Sequence, residues 1–232
     1  MTVDGGQGPA WQRRLWRLQI GASSTVHRPP STALARSLVL SLILTSACRT
    51  ARLPDENPIP ALQASTADDA LNALRDRRAR LTDVHALVRL RVTTPERTDS
   101  FKASVTVAKD QQMELTIYTP LNTTAATITS HGQSVTIHDV IHGSTVKVTT
   151  EDLARTYGIF LPNVAPSDMA LLLLGFPSVA GATYEATPTG LRRAVVSDTV
   201  IEYEPPVQPV QTVRVTRPDQ QIEMTVLDAV AR

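Results

Sequence analysis

Three groups of residues in this chain could carry chemistry, and the most specific is a single thiol. Cys48, the one cysteine among 232 residues, closes the stretch Leu42-Ile43-Leu44-Thr45-Ser46-Ala47-Cys48. Small residues directly before a cysteine fit the narrow cleft of a lipoprotein signal peptidase, which leaves the cysteine to be diacylated and N-acylated. Thr45 stands where leucine is usual, with Leu44 one place early. A small buried core cysteine is the ordinary alternative. Position argues against it. Arg13, Arg14, Arg17, Arg28 and Arg36 precede with Asp4 as the only acid, and residues 37–47 then form an apolar run too short to span a bilayer. That order is a secretory signal.

The second group is His138, Asp139 and His142, on a strand running into a turn, where the histidines could approach a metal ion. No third ligand is placed by the sequence, and His138 is expected on the polar face of its strand, so no metal site is assigned. The third group is the many serines and threonines. None lies in a Gly-x-Ser-x-Gly elbow, and no Gly-rich phosphate loop occurs. No catalytic residue and no cofactor is therefore expected, and the chain is not read as an enzyme.

The elements that position these residues follow from pattern. Residues 1–47 are read as an N-terminal extension and signal peptide; whether residues 1–25 are a long n-region or lie upstream of the true start stays open. Residues 48–64 contain Pro54, Pro58 and Pro60, which forbid helix and predict an extended, solvated tether. Residues 65–232 are enough for one domain. With no second cysteine, that domain must be held by core burial alone. A formal net charge of +1, with no basic run after Cys48, excludes nucleic acid as a partner drawn by long-range attraction. A monomer is expected.

Thr66 and Asp69 make a capping-box-like helix start, with Leu71, Leu74 and Leu81 at helical spacing and Arg75, Arg77 and Arg80 facing away. From Val84 the period becomes two: Val84, Ala86, Val88, Leu90 and Val92 share a face, with His85, Arg89 and Arg91 opposite. The pattern continues through Val105 and Val107, Leu115 and Ile117, Ile128, Val135 and Ile137, and Val146 and Val148. Short turns separate the runs, so neighbours pair as an antiparallel meander of six strands. A short helix capped by residues 150–152 and ended by Gly158 follows. A second helix, from about Ser167 to Leu174, is apolar nearly all round and must be covered. Roughly five more strands close the chain, for a total of about eleven. The fold class is mainly β (α+β): a curved antiparallel half-barrel with an N-terminal helix and a short helical lid across its concave face. Its lining of slim side chains, aromatics being 4% of the chain, could part for an apolar chain or pack on itself.

The run ELTIYTPLNTTAATITSHGQSVTIHD (residues 114–139), followed by IFLPNVAPSDMALLLLGFP (residues 159–177), resembles the LolB family of outer-membrane lipoprotein receptors, of the LolA/LolB half-barrel superfamily. The shared pieces are Pro120-Leu121-Asn122 at a strand end, Thr150 as a helix cap, Leu161-Pro162 in the link, and Leu174-Gly175-Phe176-Pro177 at a helix end. The resemblance implies a lipid-anchored protein of the outer membrane, facing the periplasm. It would accept acylated lipoproteins from a LolA-like periplasmic carrier and insert them into the membrane. Leu121, with Pro120, would be the membrane-inserting loop tip, and Asn122 stands where glycine is usual. The acyl-chain cavity would be lined by Val105, Val107, Leu115, Ile117, Ile128, Val135 and Ile137 from the sheet, and by Met169, Leu172 and Leu173 from the lid. Cys48 would carry the lipid that holds the protein in the membrane. A lipid-binding sensor or assembly factor on the same fold is the competing reading.

Overall fold

The computed structural model describes residues 57–96, 98–152, 161, 163–218 and 220–232. Cys48, the signal segment, the first part of the tether and the helix end expected at Gly158 lie outside them. Twelve strands form one open, curved, antiparallel sheet. In chain order they are β1 (Asn57–Pro58), β2 (Asp83–Thr93), β3 (Thr98–Ala108), β4 (Gln112–Tyr118), β5 (Thr124–His131), β6 (Ser134–Asp139) and β7 (Ser144–Thr149), then β8 (Thr183–Thr187), β9 (Gly190–Val196), β10 (Thr199–Glu204), β11 (Thr212–Thr216) and β12 (Gln221–Ala231). Two helices lie wholly among the described residues, α1 (Ala67–Arg80) and α2 (Pro166–Leu173); residues 150–152 begin a further one, capped not by Thr150 as expected but by Thr149, whose hydroxyl accepts from the Asp152 amide at 3.2 Å. The expected eleven strands are β2 to β12.

The spatial order β7-β6-β5-β4-β3-β2-β12-β11-β10-β9-β8 joins two meanders through their first and last strands. This order places β7 and β8 at opposite edges, so the chain between them must cross the whole sheet. It crosses the apolar face, because only there can a helix as oily as α2 be covered. On that face the register carries unbroken apolar rows: Ala86, Val105, Leu115, Ile128, Ile137 and Val146 lie side by side from β2 to β7. The other face carries Arg89, Lys102 and Tyr118 in line, as period two requires.

α1 begins where the sequence places it: the Thr66 hydroxyl accepts from the Asp69 amide at 3.1 Å. Three further features differ from expectation. The described part of the tether is extended but only partly solvated, and it is fastened to the domain. Ile59 and Leu62 are buried, Pro58 pairs with Val230, and the Leu62 and Ala64 amides donate to the Gln208 and Pro188 carbonyls. Arg77, expected to face solvent, instead clamps this segment, donating to the carbonyls of Pro60 at 2.7 Å and Ala61 at 3.0 Å. Burial, and then neighbouring Arg80, pull its pKa below the ordinary arginine value. Finally, β12 carries a bulge between Val226 and Asp228: Leu227, on the outward phase of Glu223 and Thr225, is exposed, and after it the alternation shifts so that Ala229, not Asp228, pairs with inward Ala86.

Candidate functional site

α2 is stopped by a motif that the sequence Leu-Gly-Phe-Pro encodes. The Phe176 amide reaches the Leu171 carbonyl at 3.0 Å and the Gly175 amide reaches Leu172 at 2.9 Å, the paired bonds of a Schellman turn. Gly175 sits at φ +86°, and a Cβ there would lie 2.5 Å from both Gln208 Oε1 and Val210 Cγ2, so only glycine fits. Further bonds hold this end down. Tyr203 donates to the Leu172 carbonyl at 2.7 Å, and Gln208 Nε2 donates to the Leu174 carbonyl at 3.4 Å. Burial, and secondarily Tyr184, push the Tyr203 phenol well above its ordinary pKa, so it stays a neutral donor.

Between α2 and the sheet lies an apolar cleft of about 40 Å³. Val105, Leu115, Met169 and Leu173, all expected at an acyl-chain site, line it; so do Met113 and Met224, which the sequence reading did not single out. Val107 lines a different cavity, at the neighbouring end of β3. Ile128, Val135 and Ile137 are buried on the same face of β5 and β6, and Ile117 packs half-buried against the core; none of these four borders the cleft. Leu172 is fully buried and also lies off it. Forty cubic ångströms is far below the roughly 300 Å³ at which ligand pockets begin, so α2 is seated and the interior is packed in this state. Three methionines among its walls make it adaptable, since an unbranched thioether side chain can change rotamer at small cost.

A second feature lies at the end of the sheet where β4 turns into β5. Thr119 stitches that turn: its amide donates to the Thr123 carbonyl at 2.8 Å and its hydroxyl accepts from the Leu121 and Thr123 amides. Asn122 takes φ +59°, the left-handed conformation that asparagine tolerates better than most residues. The result is a fixed turn with Leu121 85% exposed at its tip, beside Pro120.

The β6–β7 turn lies next to it, since the Val140 amide donates to the Ala125 carbonyl at 3.0 Å. Val140 and Ile141 are exposed there, at 42% and 45%. The flanking histidines are the more conspicuous residues of this turn in the sequence. Two adjacent branched apolar residues inside a turn were the available signal. The structure gives those histidines separate duties. His138 Nδ1 meets Thr145 Oγ1 at 2.9 Å across the strands, while buried Asp139 accepts from the His142 amide at 3.0 Å and faces its ring nitrogen at 2.6 Å. Asp139 thereby holds the turn, and no cluster of three potential metal ligands occurs among the described residues.

No helix among the described residues is long and apolar enough to cross a membrane. No family model and no curated protein matches the chain. Among solved structures it is similar to a LolA superfamily protein from Nitrosomonas europaea, at 11% identity and TM-score 0.47 over 73% of this chain and 94% of that one. It is also similar to a putative outer membrane lipoprotein-sorting protein domain from Vibrio parahaemolyticus, at 7% identity and TM-score 0.48 over 71% and 93%. A third is the Mycobacterium tuberculosis lipoprotein LppX, at 11% identity and TM-score 0.31 over 68% and 91%.

Proposed function

We propose that this chain is an outer-membrane lipoprotein, anchored through acylated Cys48, that accepts acylated lipoproteins from a periplasmic carrier beneath α2 and delivers them to the bilayer. The observation that carries the reading is Leu121, 85% exposed on a turn fixed by Thr119, at one end of a sheet whose covered face is continuous aliphatic surface. One exposed leucine is ordinary, but contiguous exposed apolar side chains mark a contact surface. Val140 and Ile141 beside it enlarge the same contact, and Asp139, the acid that holds their turn, is buried.

The energetics need no nucleotide. Each methylene moved from water into apolar surroundings is worth about 0.8 kcal/mol, so one long acyl chain gains on the order of 10 kcal/mol when sheltered under α2. A bilayer offers a similar gain, so transfer is nearly balanced and runs by affinity difference. Loading must widen the cleft, which the methionine lining permits.

The packed cleft is the observation that favours a reading without transfer, an assembly factor or structural lipoprotein on the same fold, with a lipid-binding sensor needing the cleft to widen as a receptor does. Transfer of an acylated lipoprotein from its soluble carrier to a Cys48→Ala form, and onward to liposomes, separates the two. The receptor reading expects wild type to accept and deliver, and Leu121→Glu to accept without delivering. If neither form takes cargo from the carrier, transfer is wrong and the reading without it stands.

A further inference from the structure

The N-terminal end of α2 borders the second cavity, of about 230 Å³, the one that Val107 lines. Its floor is apolar, made by Val84, Val107, Leu171 and Pro177. Its rim is cationic: Arg75 and Arg78 come from one face of α1, and Lys109 from the β3–β4 turn. The acid on this rim is Asp168, and its carboxylate is held by Arg78 at 2.9 Å. Three cations against one paired carboxylate leave a positive groove on an oily base.

Two details of α2 point into this groove. Ser167 is 2% exposed, borders the cavity, and has a hydroxyl with no hydrogen-bond partner among the described residues. A hydroxyl buried unpaired is costly and uncommon. Here it lies beside the N-terminus of a helix that has no side-chain cap, where unpaired backbone N–H groups favour an anion. The hydroxyl, the helix terminus and the three cations converge on the same chemistry.

The neighbourhood adds an apolar stem to that anion. Val107 on the groove floor and Val105 in the apolar cleft are consecutive inward positions of β3, and α2 covers both, giving Leu171 to the groove and Ala170 and Leu173 to the cleft. We propose that the groove is a headgroup site for an anionic phospholipid: its phosphate meets Arg75, Lys109 and the Ser167 hydroxyl, and its apolar portion runs along β3 toward the cleft. The thioether-linked diacylglycerol of a lipoprotein carries no phosphate. The site is therefore separate from cargo acceptance and does not rest on the transfer reading.

Calorimetric titration of the Cys48→Ala chain with short-chain lipids below their micellar concentrations tests this. Dihexanoyl phosphatidylglycerol is expected to bind at least about tenfold tighter than dihexanoyl phosphatidylcholine. Inorganic phosphate and glycerol phosphate are expected to bind more weakly than phosphatidylglycerol, because they lack the stem. Arg75→Gln with Lys109→Gln should weaken both lipids, phosphatidylglycerol much the more, and so erase the preference between them. Lys109→Gln by itself, on an exposed turn, should give a partial loss if the double variant does not fold. Ser167→Ala should weaken phosphatidylglycerol binding severalfold and raise the melting temperature of the unliganded chain, since it removes a buried unpaired hydroxyl. Equal binding of the two lipids, or a preference that survives both the single and the double variant, overturns the site. Inorganic phosphate binding as tightly as phosphatidylglycerol overturns the lipid assignment, and a lower melting temperature for Ser167→Ala overturns the ligand-facing role of that hydroxyl.

Discussion

Leu121→Glu separates membrane contact from folding more sharply than any other single change. At 85% exposure the leucine contributes almost nothing to the core, so the substitution should leave unfolding free energy within about 0.5 kcal/mol of wild type. In a bilayer the same side chain would be buried nearly whole, a gain of about 2 kcal/mol. Losing it lowers the partition constant about 30-fold, and a carboxylate in the same place lowers it further. Ile141, with roughly half its surface free, scales to about 1 kcal/mol and a fivefold loss for Ile141→Glu. The assay is sedimentation of the Cys48→Ala chain with sucrose-loaded liposomes, each variant first checked by thermal melting. The control is Leu227→Glu: that residue is 44% exposed at the β12 bulge, far along the chain from either turn. If Leu121→Glu and Leu227→Glu lose liposome binding equally, exposed apolar area in general is being read and the turn has no special place. If Leu121→Glu binds as wild type does, the turn does not enter the membrane at all.

Gly175→Ala should cost about 2–4 kcal/mol, from the left-handed backbone and the 2.5 Å approach to Gln208 and Val210 together, and lower the melting temperature by roughly 5–10 °C; an unchanged melting curve would mean the α2 turn is not anchored as described. Thr66→Ala should cost about 1 kcal/mol through loss of the α1 cap, measured by urea unfolding. Tyr203 has its pKa raised by burial, so the folded chain keeps a proton that the unfolded chain releases above pH 10.0; stability should fall as pH rises past that value. Tyr203→Phe should flatten this alkaline slope, leaving the smaller share of Tyr184, whose pKa burial also raises. At neutral pH the same variant should lose about 1 kcal/mol with its bond to Leu172. Hydrogen exchange should be slower at the Gly175 and Phe176 amides, locked in the Schellman turn, than at Met169, whose bond to the Ala165 carbonyl begins the helix.

Most of the sheet was legible because period-two alternation is a local signal. Val84 to Val92 face the covered side as their spacing dictates, and the same holds for β3 to β6. The turn at Leu121 was legible through the resemblance of Pro120-Leu121-Asn122, and its exposure follows from hydrogen bonds within five residues. What escaped the sequence depends on partners distant along the chain. Pro58 looks like a spacer residue until Val230 arrives beside it, and Arg77 looks solvated until the Pro60 and Ala61 carbonyls fold back onto it. The bulge after Val226 likewise has no local signal, yet it brings Ala229 rather than Asp228 opposite inward Ala86. Whether the interior is open or packed was illegible for a further reason: it is set by how α2 docks, and the same aliphatic residues serve either state.

The anchoring of α2 is unequal at its two ends, and this bears on how a packed cleft could load. Its C-terminal end is held by the Schellman turn, by buried Tyr203 and by Gln208. Its N-terminal end has no side-chain cap and an unpaired Ser167 hydroxyl, but it is held by the partly exposed ion pair from Arg78 to Asp168, by the Ser178 hydroxyl donating to the Asp168 carbonyl at 2.5 Å, and by buried Pro166 and Met169. A partly exposed pair of this kind contributes on the order of 1 kcal/mol or less, whereas sheltering an acyl chain gains about ten times that. A lift of the N-terminal end about the Gly175 turn would also break the Ser178 bond and expose Pro166 and Met169, for a total on the order of 5 kcal/mol, which a sheltered acyl chain still offsets. An anion bridging Arg75, Lys109 and Ser167 would add bonds at the end that must move. Occupancy of the cationic groove and loading of the apolar cleft would then oppose one another, each favouring a different position of the same short helix.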